Sequence, residues 1–483
     1  MQGRRLMMLT GKNAGQVAEQ VSSILIVTLS FWVLCYRLDG VPMYLWDESR
    51  QANNALEMLE SGNLWYTTYD GQPDFWNTKP HLLILLQCVC MKLWGPGLLA
   101  LRLPSALAGC LVLWIGFRFL QKRSGFTYAA AWIAVMLGSG GFNTYHVVRT
   151  GDYDALLTLF IFLTTLSWLK YLEDQTQTKS LRFAAIWFTA ALLTKGIAAA
   201  LWLPCWFVMG FAVKPYMQFK SVELIKASLI PILAVIFYYG LHEWLTPGYL
   251  HAVFENELSG RYLQSNEGHG SQWYYYAEVI WSHYFKGFIV LMVIAGVMVK
   301  SYGGRLLYSR MLAGILLFLI IISVSATRIY WYVAPAIPLM ALLVILPMAD
   351  HNNRIFQWSW SLLIVVFLVI GYYNNFRHNT ISEGVSPAKV LLHSEKSGKL
   401  PYNAIWHVGH YYPIEKYYAA VLKKKGIDLP ISSVYRYKQN DTLIVGNMAH
   451  LDTLNRLFFI RQHQYPTDVS PVWVMVVDSA RNR

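Results

Sequence analysis

The run HLLILLQCVCMKLWG, residues 81–95, decides how this chain is read. It is apolar enough to enter a bilayer, and counting it as a membrane span reverses the direction of every span that follows. The 483 residues are 55% hydrophobic and only 14% charged, too little charge to cover a water-soluble surface of that size. The chain reads as an integral membrane protein. About 20 apolar residues cross a bilayer. On that scale spans fall near 21–38, 98–119, 127–142, 154–172, 182–195, 197–213, 222–242, 277–299, 309–326, 330–348 and 356–374.

Lysine and arginine arbitrate, because short cytoplasmic loops carry them in excess. If 81–95 lies flat in the interface, Arg118, Lys122 and Arg123, then Lys179 and Arg182, Lys214, Lys220 and Lys226, Lys300, Arg305 and Arg310, and Arg354 share one side with Arg4, Arg5 and Lys12. If it crosses, they all land on the other side. The reading is therefore eleven spans, an interfacial helix at 81–95, a cytoplasmic N-terminus and an extracytoplasmic C-terminus. The net charge of +13 follows from this topology, since the basic residues form no continuous stripe of the kind nucleic acid requires. The first apolar run is long for a signal-peptide core and reads as a retained anchor. Cys35, Cys88, Cys90, Cys110 and Cys205 lie in apolar stretches with neither zinc nor disulfide spacing, and read as packing residues.

After residue 375 the composition turns polar. Short alternating runs, TLIVGN and VWVMVVD, flank a helical YPIEKYYAAVLKKKG, which predicts a small extracytoplasmic α/β domain over 376–483 behind a membrane domain over 1–375. The orientation also collects the chemistry-bearing residues on the outer face. Asp47 and Glu48 follow the first span, in the loop 39–97. A carboxylate there can deprotonate a hydroxyl, and an adjacent acid can tune it, although Asp47 also suits a helix N-cap. Arg50, Lys79, Arg149, Lys195, Arg261 and Arg328 lie at outer span ends or in outer loops, against the positive-inside bias, and suggest an anion such as phosphate. Lys92 reads instead as a snorkelling anchor. Lys195, with Gly196, interrupts an apolar run and needs a polar cavity. Asp152 and Asp154 in RTGDYDALL are candidates for the same site or caps of the next span.

DESR after the first span, TKP before the interfacial helix, RLPS, DALLTLF, the Lys-Gly break, FENELSGR and RIYWYVAPAIPLMALL occur in an order that resembles the GT-C glycosyltransferases of the protein mannosyltransferase type, and within them the bacterial aminoarabinose (lipid A) transferases. The resemblance runs from about residue 40 to about 345. It implies a GT-C fold of eleven membrane helices with interfacial helices, and a multi-pass enzyme of the bacterial inner membrane whose site faces outward. That enzyme takes a sugar from a polyprenyl phosphate donor, without a nucleotide or other cofactor, and passes it with inversion to a lipid A-like or other extracytoplasmic acceptor. Carried over by position, it makes Asp47 the base, with Glu48 beside it. It sets Arg50, Lys79, Lys195, Arg261 and Tyr332 around the donor phosphate, and puts the acid that opens the DALL span on Asp154, a further substrate-binding candidate. Arg328 stands where the relatives have a lysine. The aminoarabinose branch has a glutamate before its Lys-Pro and a histidine after its loop glutamate, which ligate a metal. Here those positions hold Thr78 and Asn256, neither a good zinc ligand, so no metal is expected; His81, Glu255 and Glu257 are the neighbours able to rebuild a site.

A protein O-mannosyltransferase-like enzyme acting on secreted proteins and a lipid or polysaccharide transporter are the alternatives. A transporter should show internal repeats, and none is visible.

Overall fold

Among the described residues of the computed structural model, six helices are long and apolar enough to cross a bilayer. They are Val17–Cys35 within α1 (Gln2–Cys35), α4 (Leu98–Ser124), α6 (Asp154–Glu173), α7 (Thr178–Ala200), α9 (Ser221–Leu245) and α13 (Tyr302–Val324). Shorter apolar helices stand at the other expected spans: α5 (Phe126–Gly138), α8 (Trp202–Phe211), α12 (Phe288–Met298) and α14 (Ile337–Asp350). The structure describes residues 2–143, 146–211, 221–263, 271–284, 288–350, 385–400, 404–446, 448–464 and 473–480, with isolated positions between 358 and 369. The span expected at 356–374 therefore lies largely outside the described residues.

The chain divides into two compact units, Met1–Tyr36 with Pro73–Leu83 and Arg102–Thr380, and Arg37–Gln72 with Ile84–Leu101 and Ile381–Arg483. In the first, α6 packs on α7, α7 on α9, α13 on α8, and α14 on α5, α12 and α13. Small residues permit the close approaches that membrane helices need. A Cβ at Gly116 of α4 would fall 2.3 Å from the ring of Trp132 in α5, so only glycine fits there. Trp132 is fully buried and stacks on Phe162 of α6. The opposite signal comes from α9, where Val222, Ile225, Leu233, Ile236 and Phe237 are all more than half exposed. An apolar face of that extent has lipid as its natural solvent.

In the second unit, α2 (Asp47–Ser61) lies beside the helix Pro413–Lys424. Asn53 Nδ2 donates to the Pro413 carbonyl at 2.7 Å, and the Lys416 ammonium pairs with Glu57 and Asp70, both at 2.7 Å. Asp70-Gly71, both at positive φ, forms the turn joining β1 (Thr68–Tyr69) to β2 (Gln72–Pro73). The C-terminal segment supplies a five-stranded sheet in the order β4-β3-β5-β7-β6. Its strands are β3 (Ile405–His407), β4 (Ile431–Ser432), β5 (Thr442–Val445), β6 (Phe458–Gln464) and β7 (Trp473–Ala480). β3 runs parallel to β4 and β5, and β7 is antiparallel to β5 and β6. Leu443, Val445, Leu451, Leu454, Met475 and Val477 close its core. The run 81–95 forms α3 (Leu82–Trp94), about 20 Å long and short of the roughly 30 Å hydrocarbon core. Length alone does not separate it from α5, which has the same 13 residues. From Ile84 onward α3 belongs to the second unit, where Cys88 Sγ meets the Ala55 carbonyl of α2 at 3.2 Å, whereas α5 packs on α1 and α14.

Candidate functional site

The Lys-Gly break is the centre of the first unit's site. Lys195 (φ −142°, ψ 28°) and Gly196 (φ 44°, ψ −114°) leave helical geometry inside α7, which continues on either side. Gly196 is required twice over. Its φ lies in the left-handed region, and a Cβ there would stand 2.6 Å from the Tyr239 hydroxyl and 3.3 Å from Pro80. The break turns the Lys195 ammonium to both carboxylate oxygens of Asp154, each at 2.7 Å, with the Tyr332 ring 5.4 Å away. Lys195 and Asp154 are 6% and 3% exposed, so each is the counter-ion that makes the other's burial tolerable. Asp154 is the first residue of α6, and its carboxylate serves Lys195; the preceding residue, Tyr153, makes no side-chain cap.

Asp154, Lys195, Glu257, Ser325 and Tyr332 line a cavity of about 50 Å³ together with apolar side chains that include Leu157, Ile197, Leu201, Phe318 and Ile322. A small cavity lined by both charged and apolar side chains suits an ionic group carried on an apolar one. Lys79, buried, pairs with Glu257 at 3.7 Å and lies within 6.0 Å of the rings of Trp76 and Tyr153. Asp152 pairs with His146 at 3.2 Å, both buried, and the imidazole stacks on Trp331, the residue before Tyr332. Sequence reading passed over His146. Its only sequence signal is a lone histidine six residues before an acid.

Other expected site residues have different surroundings. Arg149 donates to the carbonyls of Val33, Leu34 and Tyr36, the unsatisfied end of α1, where a cation also complements the helix dipole. Arg328 Nε donates to the Ser323 carbonyl at 2.9 Å and its Nη1 to that of Ser271. Arg261 lies in a π-helix, Phe254–Leu263, and its side chain is outside the described residues.

The acidic pair belongs to the second unit. Glu48 is fully buried and its Oε2 accepts the Tyr44 backbone N–H at 2.9 Å, so it braces the turn into α2. Asp47, beside it, is half-buried and remains within reach of solvent. The residue before α2 is Trp46, at φ 74°, which makes no side-chain cap and stacks on Tyr411 with ring centres 5.2 Å apart. Arg50 lies over the Tyr69 ring at 3.5 Å, with Lys416 3.9 Å from the same ring. Burial pushes the Tyr69 hydroxyl above its ordinary pKa, against the lowering effect of Arg50.

The residues at the two positions where the resemblance implies metal ligands do not fit a metal. Thr78 Oγ1 is a neutral hydroxyl, and the Asn256 amide donates to the Phe75 carbonyl at 2.7 Å. The neighbours are drawn elsewhere: His81 Nδ1 meets the Tyr238 hydroxyl at 2.8 Å, Glu255 pairs with His251 at the surface, and Glu257 with Lys79. Among the described residues no three histidine, cysteine or acidic side chains converge on one point.

Residues 78–239 match the family model of dolichyl-phosphate-mannose-protein mannosyltransferase. The undecaprenyl phosphate-alpha-4-amino-4-deoxy-L-arabinose arabinosyl transferase of Aeromonas salmonicida is 24% identical over 331 residues, 65% of this chain and 58% of that protein. That of Aeromonas hydrophila subsp. hydrophila is 22% identical over 356 residues, 69% and 62%. The chain thus spans about three fifths of the length of these relatives. ArnT from Cupriavidus metallidurans in the apo state superimposes over 95% of this chain and 98% of its own, with a TM-score of 0.69 at 15% identity. The same protein bound to undecaprenyl phosphate gives 0.68 at 15% identity over 94% and 97%. At that identity the likeness is one of fold: the chain has the fold of ArnT, the GT-C fold.

Proposed function

We propose that the chain is a glycosyltransferase of the bacterial inner membrane. It moves a sugar from a polyprenyl phosphate donor to a lipid A-like or other extracytoplasmic acceptor on the outer face. The observation that carries this reading is the buried Lys195–Asp154 pair, set at a helix break and lining a cavity whose other lining residues are mostly apolar. A phosphate with a polyprenyl tail combines charged and apolar character in the same way. The relatives, named for undecaprenyl phosphate-linked aminoarabinose, favour the same donor class.

The chemistry needs a base and a place for negative charge. Asp47 accepts the proton of the acceptor hydroxyl as its oxygen attacks the anomeric carbon. The bond from that carbon to the phosphate oxygen breaks, the electron pair leaves with the phosphate, and configuration inverts. Lys79 and Lys195 meet the charge that builds on the leaving phosphate, and Arg50 and Arg261 are assigned to the same task. No step in this scheme calls on a nucleotide. Mass spectrometry of lipids carried through purification, followed by a donor-turnover assay on the purified protein, tests the reading. A polyprenyl phosphate should copurify, and its sugar-loaded form should be consumed. Failure to bind or consume any polyprenyl phosphate would refute the proposal.

A further inference from the structure

The segment from Phe75 to His81 carries Lys79, and successive residues of it are held from the 238–257 region. The Asn256 amide donates to the Phe75 carbonyl at 2.7 Å, and the Tyr249 hydroxyl to the Thr78 carbonyl at 2.8 Å. Glu257 pairs with Lys79 at 3.7 Å, and Tyr238 meets His81 at 2.8 Å. Asn256 and Glu257 sit in the π-helix Phe254–Leu263, a rare form that is frequently found at functional sites. Two of the groups in this bridge, Thr78 and Asn256, occupy the positions where the aminoarabinose transferases carry metal ligands, and neither suits a metal.

We infer that Asn256 and Tyr249 are positioning residues of a metal-free clamp. By hydrogen-bonding the backbone of the 75–78 segment, they hold Lys79 against Glu257 and so beside the cavity that Glu257 lines. The bridge is made from the protein's own donors at the place where the relatives recruit a metal. The clamp stands on geometry; only the ligand that Lys79 serves, the donor phosphate, rests on the function proposed above.

The test uses the full-length protein in detergent and reads amide hydrogen exchange across residues 73–81, which reports opening of this segment whether or not a ligand binds. Asn256→Asp keeps the size and removes the donor; Tyr249→Phe removes one hydroxyl and disturbs folding least. Each should speed exchange in 73–81 by about fivefold, the effect of one lost hydrogen bond of about 1 kcal/mol, and weaken undecaprenyl phosphate binding by a similar factor. A chelator should leave wild-type exchange unchanged, and elemental analysis should find far less than one zinc per chain. Wild-type exchange in both variants, stoichiometric zinc, or loss of protection on chelation would each overturn the clamp. If the variants speed exchange while the wild type binds no polyprenyl phosphate, the clamp stands and the proposed donor falls.

Discussion

Replacing Lys195 by alanine separates two roles that the buried pair combines. The Asp154 carboxylate, 3% exposed, would lose an ammonium at 2.7 Å from both its oxygens, and breaking a buried pair from one side costs about 3–5 kcal/mol. Part of that loss is recovered if Asp154 takes up a proton, so the destabilisation should fall at the lower end, about 3 kcal/mol. The double variant Asp154→Asn with Lys195→Ala leaves no unpaired charge and should regain most of the stability. Donor binding behaves differently. If Lys195 grips a phosphate, a charged hydrogen bond of about 1.5–3 kcal/mol disappears in the single and the double variant alike, a roughly 10- to 150-fold loss of affinity. Thermal unfolding in detergent and undecaprenyl phosphate binding, measured on both variants, supply the two readouts. A double variant that recovers stability and binds the lipid as tightly as the wild type would refute the phosphate role and leave Lys195 only the counter-ion of Asp154.

Asp47→Asn keeps the shape and removes the proton acceptor, so turnover should fall about 100-fold or more while polyprenyl phosphate binding persists; near-normal turnover would return Asp47 to the first turn of α2 as a purely structural acid. Burial, helped by the neighbouring His450, holds the His407 imidazole down at about 4. Because the unfolded chain takes up that proton near pH 6.5, the stability tied to neutral His407 is complete above about 6.5 and is lost as pH falls toward 4. Protection against hydrogen exchange in the C-terminal sheet, taken relative to the intrinsic exchange rate at each pH, should therefore fall between pH 7 and 5 in the wild type and much less in His407→Gln; equal responses would place the titration elsewhere. A cysteine introduced near residue 430 should react with a membrane-impermeant thiol reagent in spheroplasts and one near residue 178 should not; the reverse pattern would invert the topology.

The local pattern of the sequence was enough to mark most of the membrane helices, because hydrocarbon imposes a length and an apolarity that each span must satisfy by itself. It also marked the strands at 442–445 and 473–480, the helix Pro413–Lys424, and the anomaly of Lys195 in an apolar run. Tertiary structure decided which charges share a partner. Nothing near Lys195 in the chain names Asp154, 41 residues away, and nothing near Arg149 says that its guanidinium caps α1, more than 110 residues back. The segment 37–72 folds with residues beyond 380 because Asn53 and Glu57 find their partners at Pro413 and Lys416, bonds whose two halves are each ordinary polar residues when read alone. His146 and the Asn256–Phe75 bridge were invisible for the same reason. Solvation acts residue by residue and leaves a periodic trace in the sequence, whereas a buried ion pair or hydrogen bond is a relation between two positions, and only the fold brings both to one place.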